Sequence, residues 1–303
     1  MDFMQSFGLL TTGFYVEFAV VLPYLVAFYL LLGILEDFGY LPRLAVLLDR
    51  TLHRMGLHGW AIVPNILGMG CNVPAILATR VLESRRERFI AATLVSIAVP
   101  CASLQAMVWA LVGDPARGGG MRFVLIIYGA LFAAWLAIGR ILNLLLPGRS
   151  PELLMEIPPY RLPSARAVAK KTWMRLKGFV VEALPVVMLG VLAVNLFYSS
   201  GAMDRMARLA GPIMTGAFGL PKEAAVAVLL GFLRKDMAMG LLGAMNLEIG
   251  QLVVASTLLA MSFPCVATFA VLWRELGLRD MLLSTGIMLA SAFAVGAALN
   301  ALL

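Results

Sequence analysis

Charge is scarce in this chain. Of 303 residues, 14% are charged and 61% are hydrophobic, where a soluble domain has about a quarter charged and about half apolar. A mean hydropathy of +0.92 excludes an ordinary soluble fold. Cysteine is nearly absent too. Three cysteines, an odd number in apolar surroundings, exclude a disulfide framework. The chain has no GxxxxGK[ST] P-loop, no GxGxxG turn, no HExxH and no CxxC, each of which would carry a recognisable chemistry. No catalytic constellation and no permanently bound cofactor are therefore expected. A cleavable signal is also missing, because Asp2 lies where a basic flank would precede the apolar stretch.

What is present is a set of long apolar runs. A span needs about 20 mostly apolar residues. Six such runs occur, roughly Glu17–Leu35, Phe89–Val112, Phe123–Leu146, Phe179–Tyr198, Leu252–Trp273 and Met281–Leu302. Two more apolar stretches, Trp60–Thr79 and Ala224–Met245, are interrupted by polar residues, Gly or Pro. The interruptions are Gly68-Met69-Gly70-Cys71-Asn72-Val73-Pro74-Ala75 and Gly231-Phe232-Leu233-Arg234-Lys235-Asp236-Met237-Ala238. In lipid, backbone without an internal partner is tolerated only where it packs on protein or lines a cavity. Broken segments at corresponding places in two halves point to a transport site.

The net charge of +7 is no nucleic-acid footprint, because the basic residues are sided. Eight lie between Arg140 and Lys177 and seven between Arg43 and Arg88. Arg274 and Arg279 join them if the spans alternate. Arg117, Arg122, Arg205, Arg208 and Lys222 stay opposite. The positive-inside rule makes the first set cytoplasmic and predicts both termini outside the cytoplasm. Residues 42–55 place Leu44, Leu47, Leu48, Leu52 and Met55 on one helical face, as in a helix lying in the cytoplasmic interface. His53 and His58 are read there as solvated interfacial residues.

The two halves repeat. Pro23 and Pro185 differ by 162, Gly56-Leu57 and Gly219-Leu220 by 163, and Pro100-Cys101 and Pro264-Cys265 by 164. The first half runs towards the cytoplasm and the second away from it, which is an inverted-topology repeat. The expected fold is an all-α polytopic membrane protein with about six full spans and two re-entrant or broken helical hairpins. Residues 1–146 form the first repeat, 147–177 a basic, proline-rich cytoplasmic linker, and 178–303 the second repeat.

The chemistry-bearing residues cluster at the breaks. Pro74 cannot sit mid-helix without losing a hydrogen bond, and Gly68 and Gly70 are read as permitting unwound backbone around Cys71 and Asn72. Cys101 and Cys265 follow the paired prolines. Thiolates suit softer cations, although packing accounts for free cysteine equally well. Arg234, Lys235 and Asp236 would each cost about 2.5–3.5 kcal/mol at mid-membrane, so they must pair or meet water. Asp236 is read as a cation ligand, with Arg234 or Lys235 as its counter-charge. Glu36 is a candidate gate residue, and Asp37 a cap for the next helix. Glu17 and Glu182 are assigned no role.

Beginning at Leu35-Glu36-Asp37-Phe38-Gly39-Tyr40, the chain resembles the membrane domain of the FeoB-type ferrous iron transporters. The likeness continues through Asp49-Arg50, Gly56-Leu57, Gly68–Ile76, Ala78-Thr79-Arg80 and Leu82-Glu83-Ser84. In the second half it includes Trp173, Lys177, Phe179, Arg234-Lys235-Asp236, Phe263–Thr268 and Arg274-Glu275. Both halves look like gate, or nucleoside-recognition, repeats. The resemblance implies Fe²⁺ transport across the cytoplasmic (inner) membrane, with Cys71, Cys101 and Cys265 as pore residues. At Pro100–Gln105 the family's Ser and Arg neighbours are replaced. The family also places a GTPase domain and a first span ahead of this region. Starting at Met1, the chain is expected to be a transmembrane-only relative or to use a separate cytoplasmic GTPase or regulatory protein. Lipid, a divalent metal ion and further copies of the chain are the remaining expected partners. A transporter of an organic solute such as a nucleoside, and a non-transporting membrane subunit, are the other two readings.

Overall fold

The computed structural model describes residues 18–19, 22–115, 118–148, 160–183, 185, 188–189, 211–212, 214–231, 235–245, 247–262 and 264–303, with the side chains of residues 182–183 and 236–237 outside that set. Among the described residues every regular element is helical. In chain order the helices are α1 (Leu22–Asp37), α2 (Tyr40–His53), α3 (Ile62–Gly70), α4 (Asn72–Ala78), α5 (Arg85–Ala98), α6 (Ala102–Val112), α7 (Met121–Leu145) and α8 (Ala165–Gly178). They continue as α9 (Ala224–Gly231), α10 (Lys235–Ala244), α11 (Ile249–Met261), α12 (Val266–Leu276) and α13 (Leu278–Leu302).

Among the described residues four stretches are long and apolar enough to cross a membrane: Arg85–Val112, Met121–Leu145, Ile249–Leu276 and Leu278–Leu302. They match four of the six expected runs. The first expected run becomes α1, 16 residues long, which passes the same test only together with α2, bent from it by 82°. Most of Phe179–Tyr198 lies outside the described residues. The stretch read as a linker folds from Ala165 onward into α8, which packs on α1.

Proline explains why two of the spans are broken. The residue before a proline is driven out of helical conformation. Val99 adopts φ −105° and ψ 98°, and α5 ends at Ala98. The next helix restarts from Cys101 at φ −68°, ψ 161°. Its counterpart restarts from Cys265 at φ −63°, ψ 159°. Two cysteines 164 residues apart thus hold the same extended N-cap conformation.

The helices before those breaks start alike. Ser84 caps α5 by accepting from the Glu87 amide at 3.1 Å, and Glu248 caps α11 in a capping box with Gln251. The second pair is reciprocal, whereas the Glu87 carboxylate accepts from the Ser84 hydroxyl at 3.0 Å. The turns preceding them match as well. Gly56 (φ 75°) and Gly219 (φ 63°) take left-handed conformations that suit glycine. Asn143 near the end of α7 donates to the Arg54 carbonyl at 3.1 Å. Asn300 near the end of α13 donates to the Ala217 carbonyl at 3.2 Å.

Packing follows the same pairing. The long helix α7 packs on α5 and α11, and α13 packs on α11 and α5. The hairpin arm α4 packs on α12, while α10 packs on α6. Each half therefore lays its broken hairpin against the broken span of the other. A continuous apolar core runs through all of these elements.

Two local readings are corrected. Gly68 and Gly70 are not unwound: α3 runs through both, and the break is confined to Cys71. They are small because neighbours are close. A Cβ at Gly70 would meet Phe28 Cε1 at 2.5 Å, and one at Gly68 would meet Val95 Cγ1 at 2.8 Å. His58 is not solvated. It is 5% exposed because its Nδ1 accepts from the Trp60 amide at 3.3 Å and its Nε2 lies 3.7 Å from the fully buried Glu87 carboxylate. His53, by contrast, is exposed as expected.

Candidate metal path

Three cysteines sit at three helix interruptions. Cys71 separates α3 from α4 in extended conformation, φ −152° and ψ 134°, while its amide still bonds the Leu67 carbonyl at 3.0 Å. Pro74 is tolerated because it falls in the first turn of α4, where an amide has no helical partner. Asn72 opens that helix. Its side chain is 6% exposed, and its Oδ1 has no hydrogen-bond partner. Tyr29 from α1 is fully buried, its hydroxyl is likewise unpartnered, and it lies within electrostatic reach of Cys71. Unpartnered buried acceptors are uncommon and call for a cause such as an ion.

Cys101 and Cys265 occupy the paired N-caps. Cys101 Sγ lies 3.4 Å from Ser103 Oγ, and Cys265 Sγ lies 3.0 Å from Thr268 Oγ1. The two thiols are within electrostatic reach of each other and of Lys235. Lys235 opens α10, is 5% exposed, and donates to the Ala260 carbonyl at 2.9 Å. Thus one cation comes to the two thiols of the broken spans. All three cysteines are half-buried and none is in a disulfide.

The structure does not collect the whole set read from the sequence. Asp236 lies in the first turn of α10, but its side chain, like the whole of Arg234, is outside the described residues. Among the described residues no three His, Cys, Asp or Glu side chains converge as a metal cage. Glu36 and Asp37 are at the end of α1 and pair with the linker helix. Arg175 donates to Glu36 at 2.7 Å, and Lys171 reaches Asp37 at 2.7 Å and Glu36 at 3.2 Å. Asp37's hydrogen bond, with Glu36 beside it, holds the Lys171 ammonium above its ordinary pKa, so it stays charged at neutral pH. The capping role read for Asp37 is corrected: the N-cap of α2 is Gly39, without a side-chain cap bond, because Asp37 is committed to Lys171.

Two features had no signal in the sequence. Gln105 Nε2 donates to the Met69 carbonyl at 3.1 Å and the Pro100 carbonyl at 2.7 Å. It ties the Cys71 break to the Cys101 break, at a place where the FeoB-like pattern is lost. The second is an ionic clasp between the halves. Arg80 grips Glu275 in bidentate fashion, with Nε to Oε2 at 2.8 Å and Nη2 to Oε1. Arg85 holds Asp280 at 3.0 Å and the Leu276 carbonyl at 3.2 Å. At the repeat-related place, 163 and 164 residues away from Arg80 and Glu275, stand Gly243 and Leu111. There the contact is apolar, and a Cβ at Gly243 would lie 2.6 Å from Leu111 Cδ2.

Broken apolar helices, paired across two halves and carrying thiols at the breaks, define a helical membrane protein. The chain belongs to the Gate family, whose model, described as nucleoside recognition, matches residues 18–115 and again 180–279. Between them, residues 124–175 match the C-terminal model of ferrous iron transport protein B. The Fe(2+) transporter FeoB of Synechocystis sp. is 28% identical over 295 residues, covering 88% of this chain and 48% of that protein. The FeoB of Legionella pneumophila is 33% identical over 249 residues, 76% of this chain and 33% of its own length. An Fe(2+) transport protein A/FeoB fusion from Porphyromonas gingivalis is 35% identical over 178 residues, 58% of this chain and 21% of its own. The chain thus spans about half the length, or less, of these relatives. No solved structure matches it.

Proposed function

We propose that this chain conducts a divalent metal cation, ferrous iron, across the cytoplasmic membrane, along a path lined by Cys71, Asn72, Cys101, Cys265 and Asp236. The carrying observation is the pair of cysteine N-caps with matching backbone angles at two broken spans, with Lys235 in reach of both thiols. Soft sulfur ligands and amide oxygens suit a borderline cation, and broken helices are tolerated at membrane depth where they pack on protein or line a cavity. The relatives bearing the name Fe(2+) transporter support the choice of metal.

In this reading residues 1–146 and 178–303 are inverted gate repeats around a midplane site, together giving six spans and two hairpins. Residues 147–177 face the cytoplasm and both termini face away. The basic asymmetry supports that orientation. Lys235 occupies the path as a resident counter-charge, and Glu36 and Asp37 hold the linker helix. Copies of the chain associate in the bilayer.

The test is Fe²⁺ uptake into anaerobic proteoliposomes. Wild type is expected to take up Fe²⁺, Cys71→Ser to lose most of that rate, and Cys101→Ser/Cys265→Ser to lose it together. Equal rates in all three and in empty liposomes would sink the metal reading. The Gate model's description as nucleoside recognition favours a second reading, transport of a nucleoside. Nucleoside uptake, or thermal stabilisation by a nucleoside and by no metal, would establish that instead.

A further inference from the structure

A groove of about 380 Å³ lies between the first hairpin and the linker helix. Its walls include Leu67 and Val73 from the hairpin, Leu77 from α4 and Phe179 beyond α8. Among the described residues two polar side chains line it, and both are arginines, Arg80 and Arg175. None of these side chains is a ligand for a metal cation.

The charge pattern selects another occupant. Arg175 uses Nη2 on Glu36, while its Nη1 is buried without a partner. A guanidinium carries five donors suited to a phosphate. Next to Arg175, Trp173 and Met174 are exposed, and Trp is enriched at the headgroup level of a bilayer. Helix α8 also carries Arg166, Lys170, Lys171 and Lys177. Basic pockets between helices on the cytoplasmic side take anionic lipid headgroups.

We propose that this groove is a binding site for an anionic phospholipid. The phosphate is held by Arg175, an acyl chain lies along Leu67, Val73, Leu77 and Phe179, and Arg80 adds a second charge at the rim while its Nε and Nη2 stay on Glu275. The lipid would wedge α8 against the hairpin that bears Cys71. The site stands independently of which solute is transported.

The protein purified in maltoside detergent would be titrated with phosphatidylglycerol, phosphatidylcholine and inorganic phosphate. Thermal midpoint and lipid retention by native mass spectrometry are the readouts. Phosphatidylglycerol alone is expected to raise the midpoint and to remain bound. Arg175→Gln should weaken that retention about fivefold, the attraction of one basic residue for an anionic headgroup. Because this change also breaks the bond to Glu36, Leu77→Trp is the second variant. It fills the groove and leaves both arginines, and should abolish retention. Equal effects of phosphatidylcholine, equal stabilisation by inorganic phosphate, or unchanged retention in Leu77→Trp would each overturn the proposal.

Discussion

Gly70 is one atom away from a clash. Its backbone is helical, so alanine is intrinsically preferred there by about 1 kcal/mol. Against that, the new Cβ would sit 2.5–2.8 Å from three atoms of the Phe28 ring. Overpacking of a core typically costs about 1–3 kcal/mol, and the obstacle is the body of the ring, so the steric effect wins. Gly70→Ala is expected to destabilise the protein, and to cost less in a Phe28→Leu background. Equal losses of melting temperature in the two backgrounds would show that Phe28 is not the obstacle. The sequence points to the right residues here and the wrong reason. Glycine beside cysteine and proline reads as unwound backbone, whereas the close approach of α1 and α5 is a tertiary fact with no local signature. Cys71, Cys101 and Cys265 were legible because proline and glycine announce each break. Gln105 and the His58–Glu87 pair were not, since their partners lie 36 and 29 positions away across packed helices.

At the scale of elements, the matched turns make a comparison possible inside one molecule. Asn143 and Asn300 each tie the end of a long helix to a left-handed glycine turn. Asn143 has a further duty: its Oδ1 accepts from Arg86 Nη2 at 2.5 Å, and the same guanidinium bonds the Leu146 carbonyl at 3.1 Å. A neutral hydrogen bond contributes about 1 kcal/mol and one to a charged group about 1.5–3 kcal/mol. Asn300→Ala should therefore cost about 1 kcal/mol and Asn143→Ala about twice that or more. Equal shifts of the thermal midpoint would refute the assigned role of Arg86. The repeat itself was visible in the spacing of Pro, Gly and Cys. That α4 packs on α12 and α10 on α6 was not, because apolar helix faces carry no label for their partner. The linker's helix was missed for a related reason: five prolines before residue 164 masked the helical stretch after it.

For the whole molecule, the decisive asymmetry lies between two equivalent interfaces. The interface that includes α4 and α12 is clasped by Arg80–Glu275 and Arg85–Asp280, and the one that includes α10 and α6 by the Gly243–Leu111 contact. Arg80 is half exposed while Glu275 is only 11% exposed. Exposed pairs contribute little, about 0.2–1 kcal/mol, and weaken as salt rises because the screening length falls below about 10 Å. A bidentate arginine on a mostly buried carboxylate keeps more of its strength. An ionic clasp can open without exposing apolar surface, whereas parting Leu111 from Gly243 cannot. The two interfaces should thus open by different chemistry. Glu275→Arg is expected to part that interface and raise maleimide labelling of Cys71 several-fold in reconstituted vesicles. Adding Arg80→Glu restores an inverted pair and should return labelling towards wild type, while high salt should raise it only where the wild-type or inverted pair is intact. If Glu275→Arg labels like wild type, the clasp is a static strut and the two interfaces do not differ in the way their chemistry indicates.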